Sequence, residues 1–175
     1  MIDENVIKSP QPHFKIMKQG TLPFDLVIKN HLKKYNVHAI VLSASSKKIL
    51  GIMSSDPNKK EIDLEYPDDS DVLSQVIDFC YGFDFVINPA NFEVTYLISS
   101  DLVIQELLDP SLEALEKSFT IQNVIPSLHF IYQAKGDISP HIRFIQQNFN
   151  DMMYQDAVIA LPASILNTII SADEL

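Results

Sequence analysis

The apolar residues of this chain keep two different periods, and their order limits the fold more than any other feature. Through residue 38 they come in short β-rich runs. Phe24-Asp25-Leu26-Val27-Ile28 reads as a strand, His31-Leu32-Lys33-Lys34 as a polar turn, and Tyr35-Asn36-Val37-His38 as the return strand of a hairpin. From Ala39 the spacing is helical: Ile40, Val41 and Ala44, then Ile49, Ile52 and Met53, with Ser45-Ser46 between two short helices. Asp56-Pro57-Asn58 is a turn, and Glu61-Ile62-Asp63-Leu64 alternates as one more strand. Everything after that is helical. Val72, Leu73, Val76, Ile77 and Cys80 follow Pro67-Asp68-Asp69-Ser70, whose side-chain oxygens suit an N-cap, and Gly82 closes that helix.

Asn88-Pro89, Asp109-Pro110 and Ser139-Pro140 each set a capping residue before proline, which predicts three more helix starts. The apolar faces behind them are Phe92/Tyr96/Leu97, Leu112/Leu115/Phe119 and Ile142/Ile145/Phe149. Residues 121–133 and a segment opening at Pro162 add two helices. The expected fold class is α+β: a head with a small sheet and a helical tail, joined near residue 118 and packed together. Residues 1–23 are polar, carry Pro10, Pro12 and Pro23, and read as a loose lead-in with a short piece at Phe14–Met17.

Composition removes several function classes. The only glycines are Gly20, Gly51, Gly82 and Gly136, too few for a many-turned all-β fold or a glycine-rich phosphate loop. Apolar residues make up 46% of 175, enough for a real core. Thirteen basic against 23 acidic residues leave a charge of −10, which repels phosphate backbones and anionic lipid, so neither nucleic acid nor membrane is an expected partner. The single cysteine, Cys80, excludes an internal disulfide and a Cys-rich zinc site. No apolar run approaches ~18 residues. The first residues carry acids where a signal peptide needs bases, so the expected location is intracellular, cytoplasmic or nuclear.

Asp25, His38 and one of Ser43, Ser45 or Ser46 have the residue types of a hydrolytic triad. None of these serines sits in the G-x-S-x-G setting that exposes a nucleophile, so a small serine hydrolase is only a remote alternative. His13, His31, His38, His129 and His141 share no i, i+4 face, and the Asp68-Asp69-Ser70-Asp71 cluster lacks the glycine and glutamate of a calcium loop. No cofactor and no metal are implied. Cys80 falls on an apolar helix face and reads as core. Phe79, Tyr81, Phe83 and Phe85 crowd one corner, either as packing or as an interface.

Taken in order, these segments resemble a divergent BTB/POZ domain followed by the start of a BACK domain. Phe24 to Ile28 is similar to the family's Asp-containing opening strand, and His38-Ala39-Ile40-Val41-Leu42-Ser43-Ala44-Ser45-Ser46 resembles its H-x-x-V-L-A-A-x-S segment. Asp78-Phe79-Cys80-Tyr81-Gly82 resembles D-F-x-Y-T-G without the threonine, and Ile87-Asn88-Pro89-Ala90-Asn91 resembles I-T-P-E-N. In the tail, Phe144 to Phe149 is similar to F-I-x-x-N-F, and Leu161 to Leu175 to L-P-x-x-x-L-x-x-L-L-S-S-D-E-L. Asp25, His38, Ser46 and Gly82 are the family's structural positions.

The resemblance implies a lead-in over 1–21, a BTB/POZ domain over 22–118 with a three-stranded sheet, and an incomplete BACK-like domain over 119–175. It also implies a non-catalytic interaction adaptor or scaffold that pairs with itself and, in some members, links a cullin-RING ubiquitin ligase to its substrate. The alternative is a self-assembly module without a ligase. Candidate partner-binding residues are Ile49, Ile52, Met53 and Asp56, with Tyr81, Phe83 and Phe85 at the aromatic corner. Two departures stand out. Pro10 and Pro12 make a long first helix costly. The hydrophobic–x–Glu motif of cullin-binding members has only Lys59-Lys60-Glu61 as its nearest match.

Overall fold

The computed structural model describes residues 4–20, 22–67, 71–154 and 156–171. Its first element is a strand, β1 (Asn5–Ile7), followed by a 3-10 turn (Pro12–Phe14) and a short helix, α1 (Lys15–Gln19). Within the lead-in, residues 5–7 and 12–19 therefore form regular elements. Its strand was hidden because three residues carry no period of their own; pairing with a distant segment defines them.

The hairpin forms between β2 (Leu26–Asn30) and β3 (Lys33–Val37), antiparallel, with Leu26 opposite Val37 and Asn30 opposite Lys33. Strand β2 sits two residues later, and β3 starts two residues earlier, than the sequence suggests. The turn contracts to His31 and Leu32, with His31 at φ 52°. Buried Asn30 fixes this end: its amide donates to the Tyr66 carbonyl and its Oδ1 accepts from the Tyr66 N–H at 2.8 Å. Phe24 and Asp25 precede β2 and turn to another use, described below. The edge strand β3 carries Lys33 and Lys34, which discourage pairing with a further strand. Strand β4 (Glu61–Leu64) adds in parallel beside β2, giving a three-stranded sheet ordered β3-β2-β4.

Helices α2 (Ala39–Ser45) and α3 (Lys47–Ser55) break at Ser46, whose hydroxyl accepts from Ile49 N–H at 3.1 Å. Helix α4 (Val72–Cys80) buries Val72, Leu73, Val76, Ile77, Phe79 and Cys80. The proposed cap residues Asp68, Asp69 and Ser70 lie outside the described residues, as do Ala172 to Leu175 of the tail motif. Asp71 precedes α4 in the left-handed region, and its carboxylate serves Tyr35 and Lys33 instead of capping. A fifth strand, β5 (Phe85–Ile87), then pairs antiparallel with β1. Phe85 is thus a strand residue and not part of an open corner.

The helices that follow are α5 (Phe92–Leu102), α6 (Gln105–Ser118) and, in the tail, α7 (Val124–Gln133), α8 (Ser139–Gln147), α9 (Phe149–Met152), α10 (Asp156–Ile159) and α11 (Ala163–Ile170). Pro140 stands in the first turn of α8 as expected. Asn88-Pro89 only opens a turn, closed by Asn88 N–H on Asn91 Oδ1 at 2.9 Å, and α5 starts at Phe92. Pro110 lies inside α6, five residues past its start. The bond it removes would have gone to the Glu106 carbonyl, on an exposed residue where water can substitute. Helix α5 packs on α4, α6 and α7, and α8 on α6, α7 and α11, so one apolar core runs through sheet and tail.

Candidate functional site

Two of the four family positions, Asp25 and His38, meet where β3 hands over to α2. Tyr81 leaves the end of α4 buried, and its hydroxyl accepts from the His38 main-chain N–H at 2.8 Å. The same hydroxyl lies 2.8 Å from His38 Nδ1. Having accepted from the main chain, it donates to Nδ1, which leaves the imidazole proton on Nε2 for the Leu22 carbonyl at 3.3 Å. Burial pushes the Tyr81 phenol up. Phe24 packs against the His38 ring, tilted, with centroids 4.8 Å apart. Asp25 caps the helix: its Oδ1 accepts from Ala39 N–H at 2.7 Å, a carboxylate at the positive end of α2.

Ser46 is buried, and its hydroxyl donates to the Leu102 carbonyl, tying α3 to the end of α5. Asp25, His38 and Ser46 are therefore separate fasteners of the head. They do not come together as a relay. Cys80 is buried, and desolvation raises its thiol to about 12, which suits packing and not nucleophilic chemistry. Among the described residues no group of three or more His, Cys, Asp or Glu side chains converges as metal ligands do.

The aromatic corner is roofed by the chain's own N-terminus. Gly82 takes φ +100°, and a Cβ there would meet Gln11 O at 2.5 Å and Pro12 Cα at 2.8 Å. Only glycine lets the strap formed by residues 4–20 cross so closely. Ion pairs Lys8–Asp84 (2.6 Å) and Lys18–Asp78 hold it, and Gln11 Nε2 donates to the Ala44 carbonyl at 3.2 Å. The ammonium of Lys15 lies 5.1 Å and that of Lys18 5.8 Å from the Phe83 ring centroid.

This divides the candidate partner-binding residues. Ile49, Tyr81 and Phe85 are core; Tyr81 is spent on His38, and Phe85 packs edge-on against Phe79 with centroids 6.5 Å apart. Their residue types suggested anchors, but alternation in β5 turns Phe85 inward. Phe83 is half-buried beneath the two lysines, Ile52 and Met53 are half-buried on α3, and Asp56 is exposed with its Oδ1 accepting from Asn58 N–H.

Exposed apolar surface appears elsewhere. Around the His38 junction, Leu22 is 55% exposed, Phe24 49% and Ile40 66%, and Ile16 on α1 is open as well. Sequence reasoning passed over this face, although one signal was present. Ile40, Val41 and Leu42 are consecutive in a helix, so all three cannot turn inward; Val41 and Leu42 do, which leaves Ile40 in solvent.

A groove of about 400 Å³ separates head from tail, lined by Tyr66, Leu97, Asp101, Lys135 and Asp137 among others. Three of its polar groups, Tyr66, Asp101 and Asp137, have partners within the protein. Tyr66 donates to Asp101, which also meets Lys48 at 2.6 Å, and Tyr96 donates to the Asp137 carbonyl at 3.1 Å. Burial and the neighbouring Asp101 carboxylate push the Tyr66 phenol far up.

Against known proteins, the family model described as the BTB/POZ domain matches residues 14–119. Among solved structures, the BTB domain of zebrafish PATZ1 is 20% identical, with 59% of this chain and 84% of that chain covered and a TM-score of 0.49. The BTB domain of human Gigaxonin is 18% identical, with 51% and 75% covered and a TM-score of 0.45.

Proposed function

This chain belongs to the BTB/POZ family of protein–protein interaction modules, and from that premise we propose that it is a non-catalytic adaptor whose working surface is the apolar face of Leu22, Phe24 and Ile40. The carrying observation is the exposure of these three large side chains beside a junction whose polar atoms are otherwise satisfied. Exposed apolar patches on well-packed domains mark contacts. The occupant that fits best is a second copy of the chain. A two-fold contact is self-complementary, so one small apolar face serves both sides. A net charge of −10 disfavours pairing through the acidic polar surface, and the one carboxylate named at this face, Asp25, is engaged on the Ala39 N–H.

The ligase-adaptor reading uses a different surface. Ile52 and Met53 on α3, with the exposed turn from Asp56, would meet the cullin. The hydrophobic–x–Glu equivalent is already engaged within the sheet: Val27 N–H donates to the Lys60 carbonyl at 2.9 Å, and Glu61 pairs with Lys29. Self-pairing is accordingly the first reading and cullin binding the second. The helices after residue 119 are read as the opening of a BACK-like domain. In support, Asn148 of the F-I-x-x-N-F segment donates to the Phe144 carbonyl at 2.8 Å, and Phe144 packs edge-on against Phe119 with centroids 5.4 Å apart.

The test is the solution mass of the chain and of the Leu22→Asp/Ile40→Asp variant. Both positions are in solvent, so folding should survive. A dimer that the variant reduces to monomer supports the reading. A dimer unaffected by the variant moves the interface elsewhere. Added cullin N-terminal domain that co-migrates with wild type but not with Met53→Ala would support the second reading.

A further inference from the structure

We propose that Ser9 is a phosphorylation site for a proline-directed protein kinase, and that its phosphate unfastens the N-terminal strap from α4 and β5. The chain has two Ser-Pro pairs, Ser9-Pro10 and Ser139-Pro140. Ser139 begins α8, and its hydroxyl is held by Asp137 Oδ1 at 2.6 Å. Ser9 lies outside any helix or strand, two residues past β1, and the following proline steers it away from helical backbone. Of the two, it alone lies in irregular backbone, the kind that opens locally and reaches an enzyme cleft.

Ser9 is also where the strap is fastened. Its hydroxyl donates to the Phe79 carbonyl at 2.9 Å and accepts from Gln11 N–H at 3.2 Å. Its main-chain N–H faces the Asp84 carboxylate, which the Lys8 ammonium holds below the usual carboxylate range. Transfer would form a bond from Ser9 Oγ to the γ-phosphorus of ATP and break the bond from that phosphorus to the β,γ-bridging oxygen. ADP leaves, and the hydroxyl proton passes to the kinase's catalytic base. The product has no proton to offer the Phe79 carbonyl. It also brings nearly two negative charges beside that carbonyl and the Asp84 carboxylate, and it competes with Asp84 for Lys8. Each change acts against the closed strap. Opening it bares the outer edge of β5 and the Phe83 ring.

This inference stands apart from the self-pairing face and is tested without a partner. The full chain is treated with a proline-directed kinase and ATP, mapped by peptide mass, and followed by amide hydrogen exchange. The expected result is one phosphate at Ser9. Exchange at 5–7 and 85–87 should then rise about tenfold or more, the scale of losing a hydrogen bond and gaining a like charge, while α4 amides stay protected. Ser9→Ala should take no phosphate and speed exchange less, since it loses the bond without adding charge; Ser9→Glu should fall between. If the full chain stays unmodified while a free peptide spanning residues 4–16 is fully modified, the proposal is overturned. Exchange unchanged after modification overturns it equally.

Discussion

At the residue scale, one hydroxyl does two jobs. Tyr81 satisfies the main chain and the ring of His38, so both groups lose a partner if it goes. Tyr81→Phe should cost about 1–3 kcal/mol in urea unfolding, since a buried N–H is left unpaired. A loss under a few tenths would mean that water takes the hydroxyl's place. His141 gives a pH signature. It is fully buried between Phe119 and Ser127, with Nε2 3.0 Å from the Ser127 hydroxyl, Nδ1 without a hydrogen bond, and burial lowering its pKa to about 4. Between about 4 and the ordinary 6.5 the unfolded chain binds a proton that the native chain does not. Stability is therefore complete above pH 6.5, falls by up to ~3 kcal/mol as the pH drops toward 4, and levels off below. In His141→Phe that part of the slope should vanish; an unchanged slope assigns it to other groups.

At the scale of elements, what the sequence revealed depended on how local each signal is. Helices α2, α3 and α4 and strand β4 have periods long enough to read, and Ser46 and Gly82 mark their breaks. Strands β1 and β5 have three residues each, and only their pairing across 80 residues of chain makes them strands, so no local window could find them. Pro110 misled because a cap-proline pair looks the same at a helix start and inside a helix, where the freed carbonyl belongs to an exposed residue, Glu106. Replacing Pro110 with Ala should restore that helical bond and raise the melting temperature by a few degrees. A fall instead would show that unfolded-state entropy dominates there. Gly82→Ala should act through the strap: with Gln11 O at 2.5 Å the added methyl forces the crossing apart. The expected outcome is protease cleavage within residues 4–20 well before the core is attacked; wild-type resistance would contradict the close crossing.

For the whole molecule, the sequence order α+β head then helical tail gave the architecture, and the core runs through both parts. The surface was harder to read. Three of seven proposed anchors, Ile49, Tyr81 and Phe85, are interior, because residue type says what a side chain can bury and not which side of the fold it faces. The proposed face takes Leu22, Phe24 and Ile40 from a linker, a strand lead and a helix start, all exposed beside His38, which Leu22 and Phe24 contact directly. The central claim is that this face joins two copies. The most direct measurement is light-scattering mass over a wide concentration range for wild type and Leu22→Asp/Ile40→Asp, with circular dichroism to check folding. The account predicts the mass of two chains for wild type and of one for the folded variant. A wild type that remains a single chain at the highest concentration would contradict it.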